Sequence, residues 1–83
     1  MNQSGGWKPL AVFLYRADGT YTCAEWVKTP KELEALLPKL RENVLKRLEV
    51  RITNYSDELL FHATSNGIEW DEIGLKPLMP IAR

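Results

Sequence analysis

Thr29-Pro30-Lys31-Glu32 opens the one long helical pattern in the chain. Thr29 can accept a hydrogen bond from the Glu32 amide, and Glu32 can reach back to the Thr29 amide, which makes a capping box. Pro30 fits the first helical position, where its missing N–H costs nothing. Leu33, Leu37, Leu40, Val44 and Leu48 follow at helical spacing with Leu36 beside them, giving an apolar stripe. Pro38 lies within that stripe. An internal proline removes one hydrogen bond and clashes with the preceding turn at ~3 kcal/mol, which predicts one kinked helix or two short ones.

Strand and turn signals flank this helix. Before it, Trp7 to Tyr15 and Tyr21 to Val27 read as strands joined at Asp18-Gly19, a pair able to supply the positive φ angles of a type I′ turn. A two-residue loop there pairs Tyr15 with Thr22, Leu14 with Cys23, Phe13 with Ala24, Val12 with Glu25 and Ala11 with Trp26. One side of the hairpin then carries Ala11, Phe13, Tyr15, Ala24 and Trp26. The other carries Leu10, Val12, Leu14, Tyr21 and Cys23, so neither side is polar.

After the helix, Leu48 to Thr53 alternates, with Val50 and Ile52 on one face. Leu59 to Thr64 alternates again, with Leu59, Phe61 and Ala63 inward, and Asn66-Gly67 is a strong hairpin signal before Ile68 to Asp71. A four-residue loop at 55–58 pairs Ile52 with Phe61 and Val50 with Ala63. A two-residue turn at 66–67 pairs Ala63 with Trp70, which places Trp70 inside with every large apolar residue except Leu60. The expectation is a two-layer α+β fold in the order ββαβββ, one helix on one face of a mostly antiparallel sheet. Residues 1–83 make one domain, with a flexible lead at 1–6 and an extended tail at 73–83.

Composition narrows the function. The 83 residues are 45% hydrophobic and 27% charged, as expected of a globular chain. Eleven basic and eleven acidic residues cancel, so no global field draws in nucleic acid or an anionic membrane. Cys23 is the only cysteine, which suits a reducing, cytoplasmic setting without requiring it. No apolar run approaches the ~18 residues of a membrane span, and Asn2-Gln3-Ser4-Gly5-Gly6 lacks the apolar core of a signal peptide.

Three sets of residues are candidates for function. The leading set is Trp7, Tyr15, Tyr21 and Trp26, residue types enriched at protein interfaces, on a hairpin with two apolar sides. One helix can cover only one of those sides. The Leu75–Ile81 tail, a second copy of the chain or another protein must cover the other. The reading is therefore a non-enzymatic interaction or accessory module, with a protein partner or a homodimer.

The second set is Lys39, Arg41, Lys46 and Arg47, which would make a weak nucleic-acid binder. Zero net charge and the interrupting Glu42 and Glu49 count against it. The third is the row Arg51, His62 and Asp71, a His beside a carboxylate of the kind an enzyme subunit uses, although no local argument places a nucleophile beside it. One His and one Cys far apart cannot make a structural zinc set, and no phosphate loop or dinucleotide fingerprint is present. No metal or cofactor is expected.

Overall fold

The computed structural model describes residues 8–79, with the backbone alone for Thr22 and Cys23. Among these residues the order is β1 (Leu10–Tyr15), β2 (Tyr21–Val27), α1 (Pro30–Leu45), β3 (Val50–Thr53), β4 (Leu59–Thr64), β5 (Gly67–Asp71) and a short 3-10 turn at Lys76–Leu78. The strands form one sheet in the order β2-β1-β3-β4-β5, with every neighbouring pair antiparallel. The α+β fold in the order ββαβββ is thus the one the sequence indicates. Helix α1 carries the chain from β2 past β1 to β3.

The core lies between α1 and one face of the sheet. Val12, Leu40, Val50, Ile52, Phe61 and Ala63 are fully enclosed there, with Leu10, Leu14, Val27, Leu36 and Leu37 around them. Among the described residues no helix is long and apolar enough to cross a membrane.

Helix α1 is capped as its sequence implies at one end and differently at the other half of the box. The Thr29 hydroxyl accepts from the Glu32 amide at 3.1 Å. Glu32 reaches one residue further back than the box requires and accepts from the Lys28 amide at 2.6 Å. The helix continues through Pro38 rather than splitting. Glu34 and Pro38 are both exposed, so the missing hydrogen bond lies on the outer side of the helix.

The C-terminus ends in a Schellman motif built on a non-glycine residue. The Leu48 amide donates to the Asn43 carbonyl at 2.9 Å, and the Arg47 amide to the Val44 carbonyl at 3.1 Å. Arg47 takes the left-handed conformation this needs, with φ +61. Asn43 also anchors the helix to the sheet. Its side-chain amide donates to the Tyr15 carbonyl at 3.1 Å and the Glu49 carbonyl at 3.2 Å, joining the end of β1 to the entry of β3.

The hairpins differ from their expected turns in a consistent way. At the first, the Gly19 amide donates to the Arg16 carbonyl, the Arg16 amide donates to the Thr20 carbonyl, and only Gly19 has positive φ. This is a three-residue loop with glycine in the left-handed position, not a type I′ turn. It pairs Tyr15 with Tyr21, and a bulge then restores Leu14 with Cys23 and Ala11 with Trp26.

The loop after β3 repeats the device: Asn54 pairs with Glu58 and Asp57 carries φ +61. A bulge beyond Thr53 and Leu59 restores Ile52 with Phe61. Leu60, not Leu59, consequently packs on the core.

The last hairpin is not restored. Thr64 pairs with Gly67 and Ala63 with Ile68, and a bulge then pairs His62 with Trp70 and Phe61 with Asp71. Trp70 therefore lies on the face opposite the core and is 49% exposed. A one-residue slip exchanges the two faces of a strand, which is why the expected inward Trp70 is outward.

The tail is folded rather than extended over Lys76–Leu78. Asp71 accepts from the Leu75 amide at 2.9 Å and the Lys76 amide at 2.8 Å. Leu75 and Met79 enter the core, and the Arg41 Nε donates to the Leu78 carbonyl at 2.8 Å. As far as Met79, the tail belongs to the helix side of the sheet.

Candidate interaction surface

The face of the sheet away from α1 carries most of the aromatic residues. Residues that alternate with the core positions point there: Phe13 and Tyr15 from β1, Trp26 from β2, Arg51 from β3, His62 from β4 and Trp70 from β5. Tyr21 joins them because the bulge opposite Leu14–Tyr15 turns its ring over, whereas unbroken alternation puts it on the core side. Its ring centroid lies 5.3 Å from that of Phe13 and 5.0 Å from that of Tyr15. Burial first, and the neighbouring Tyr21 next, push the Tyr15 hydroxyl above its usual pKa.

A second aromatic pair lies across the face. Trp26 and Tyr55 have centroids 5.0 Å apart. Ala11 lies next to Trp26 on this face and is only 7% exposed, so the outer layer shields some backbone of its own. Tyr21, Trp26, Tyr55 and Trp70 remain 53%, 50%, 72% and 49% exposed. Tyr55 stands in the polar turn Asn54-Tyr55-Ser56-Asp57, where no strand periodicity marks it as a member of this face. Trp7 lies outside the described residues.

Charge on the face is internally balanced. Glu49 Oε2 accepts from Arg51 Nε at 2.8 Å and lies 2.8 Å from His62 Nε2. Burial alone would raise the Glu49 pKa, but the His62 and Arg51 contacts outweigh it and hold the carboxyl below its usual range. The Arg51 guanidinium also sits 6.0 Å from the Tyr15 ring centroid, within cation–π reach.

The expected row Arg51, His62 and Asp71 is not formed. Arg51 and His62 are paired, but Asp71 faces Phe61 and spends its carboxylate on the tail amides. Glu49 is the acid that His62 meets, a contact across 13 positions that alternation within β3 and β4 did not reveal. Among the described residues, no group of three His, Cys, Asp or Glu side chains could hold a metal ion.

The basic residues of the second set are dispersed. Arg41 binds the tail, Lys46 pairs with Glu42 at 3.0 Å, and Arg47 Nη1 donates to the Ser65 carbonyl at 3.4 Å. Lys39 lines a separate groove beside Trp26, Val27 and Leu36. Positions 39 and 46 share one side of α1, and position 41 lies on the other. No family model matches this chain, and neither a curated protein nor a solved structure matches it.

Proposed function

We propose that this chain is a non-enzymatic protein-interaction module that binds a second copy of itself through the open face of its sheet. One observation carries the reading. The tail up to Met79, the chain's nearest means of covering that face, is packed with α1 on the opposite side. The aromatic layer therefore has no described segment over it.

Size and charge favour a second copy. At ~200–250 Å² per ring, Tyr21, Trp26, Tyr55 and Trp70 together expose roughly 500 Å². That is more than half of the ~800 Å² each partner of a standard interface buries. The face carries both Glu49 and Arg51, so a two-fold apposition sets acid against base instead of like against like. A strongly acidic or basic partner would find no matching excess of charge. The reading includes a cytoplasmic location, with which a single cysteine is compatible.

Light scattering across a concentration series tests it. The expected result is a dimer that dissociates on dilution, and a Trp26→Ser, Trp70→Ser double variant that stays monomeric and melts at the same temperature as the diluted, monomeric wild type. A monomer at every concentration would overturn the self-association.

A further inference from the structure

A second feature lies at the end of the sheet, away from the aromatic layer. The β1–β2 loop, the C-terminus of α1 and the β4–β5 turn meet around a cavity of about 250 Å³ lined by Arg16, Gly19, Arg47, Glu49 and Ser65 among others. Both guanidinium groups are held by neutral acceptors. Arg16 Nη1 donates to the Thr20 hydroxyl and the Tyr21 carbonyl, each at 3.1 Å, and Arg47 Nη1 to the Ser65 carbonyl. Such contacts fix a guanidinium in place without neutralising it.

Among the described residues neither group has a carboxylate within ion-pair distance. Asp18 attracts Arg16 only at a distance: its Oδ1 accepts from the Thr20 amide and hydroxyl at 2.9 and 2.7 Å rather than from the guanidinium. Glu49 is already matched by Arg51 and His62. The carbonyls of Glu42, Asn43 and Val44 at the adjacent helix end are taken by the amides of Lys46, Leu48 and Arg47. Two guanidinium groups thus share one cavity, and neither is closed off by a direct ion pair among the described residues.

Arg47 also holds its place at a conformational cost. Its φ of +61 is a region that suits glycine, and an L side chain is disfavoured there by roughly 1 kcal/mol. We propose that the cavity binds a phosphate group, with Arg16 and Arg47 as forked donors and the Ser65 hydroxyl beside them. A pair of guanidinium groups matches the charge of a phosphate dianion, and their planar forks match its oxygens. This site does not depend on the dimer.

Amide NMR titration at pH 7.5 and fixed ionic strength tests it, with inorganic phosphate in one arm and glycerol 2-phosphate in the other. Saturable shifts at Gly19, Leu48 and Ser65 in both arms mean that the phosphate group alone is recognised; shifts with the ester only mean that an esterified phosphate is required. Arg47→Gly suits the backbone and so keeps the fold, yet should weaken binding roughly tenfold or more, and Arg16→Gln should act alike. Absence of saturable shifts in both arms would overturn the proposal. So would equal shifts with chloride, or unchanged affinity in Arg47→Gly.

Discussion

Asn43 is the one buried polar side chain of the described core, and its replacement should separate a structural hydrogen bond from mere packing. Its amide nitrogen donates to two carbonyls, that of Tyr15 at the end of β1 and that of Glu49 just before β3. At about 1 kcal/mol for each bond, plus a small cavity term, Asn43→Ala should cost about 2–3 kcal/mol. For an 83-residue chain with a total stability of about 4–12 kcal/mol, that is about a sixth of the whole or more. It should lower the melting temperature by about 10–20 °C. Asn43→Asp is the sharper variant. An ionised carboxylate cannot donate, and it would face two carbonyl oxygens, so at pH 7 it should be worse than alanine. Burial and those oxygens raise the pKa of the introduced carboxyl in the folded state. A raised folded pKa leaves the penalty absent below the unfolded value of about 3.9 and complete above the folded one. Urea melts at several pH values should therefore show the Asp variant approaching the wild type as pH falls, with the Ala variant unchanged relative to it. An Asp variant no worse than Ala, with no such pH dependence, would refute the role given to Asn43.

Other expectations follow from the backbone and the charges. Arg47→Gly and Asp57→Gly relieve positive φ angles of +61 at both sites, and each should stabilise by about 0.5–1 kcal/mol in thermal melts. Glu49 is held below its usual pKa, so its contribution is present above about 4.3 and lost as pH falls through the folded value. Stability of the wild type should accordingly decline more between pH 6 and pH 3 than that of Glu49→Gln, as read by urea melts. Asp71→Ala removes both acceptor bonds from the tail and should cost about 1–3 kcal/mol. Limited proteolysis should then cut first between Gly74 and Met79.

The fold was legible where independent signals supported one another. The Thr29 cap, the leucine stripe and the alternation at Val50, Ile52, Phe61 and Ala63 all recur in the structure because each rests on local chemistry or on burial. Loop lengths were less legible. Gly19 supports either a two-residue or a three-residue loop, and a bulge leaves no mark in composition. In the first two hairpins the changed loop length, one residue longer in the first and one shorter in the second, and the bulge are each a one-residue shift, and they cancel. That is why Ala11 still meets Trp26 and Ile52 still meets Phe61. Tyr21 lies between the two shifts of the first hairpin, so it alone of the expected interface residues changes face there.

The third hairpin shows how much one uncancelled shift decides. With Ala63 opposite Trp70, Asp71 would have stood beside His62 on the outer face, and the tail would have left from that side. Instead Asp71 stands opposite Phe61 on the core face. From there its carboxylate takes the Leu75 and Lys76 amides and directs Leu75 and Met79 into the core beneath α1. The same shift turns Trp70 outward. The widened aromatic face and the tail's commitment to the other side are thus two results of one register change. A deletion of Glu69, the extra residue of that bulge, leaves Ile68 opposite Ala63 and Trp70 opposite His62, so both should survive together: the tail should stay protease-resistant and Trp70 fluorescence should not move. If either changes without the other, the register is not what links them.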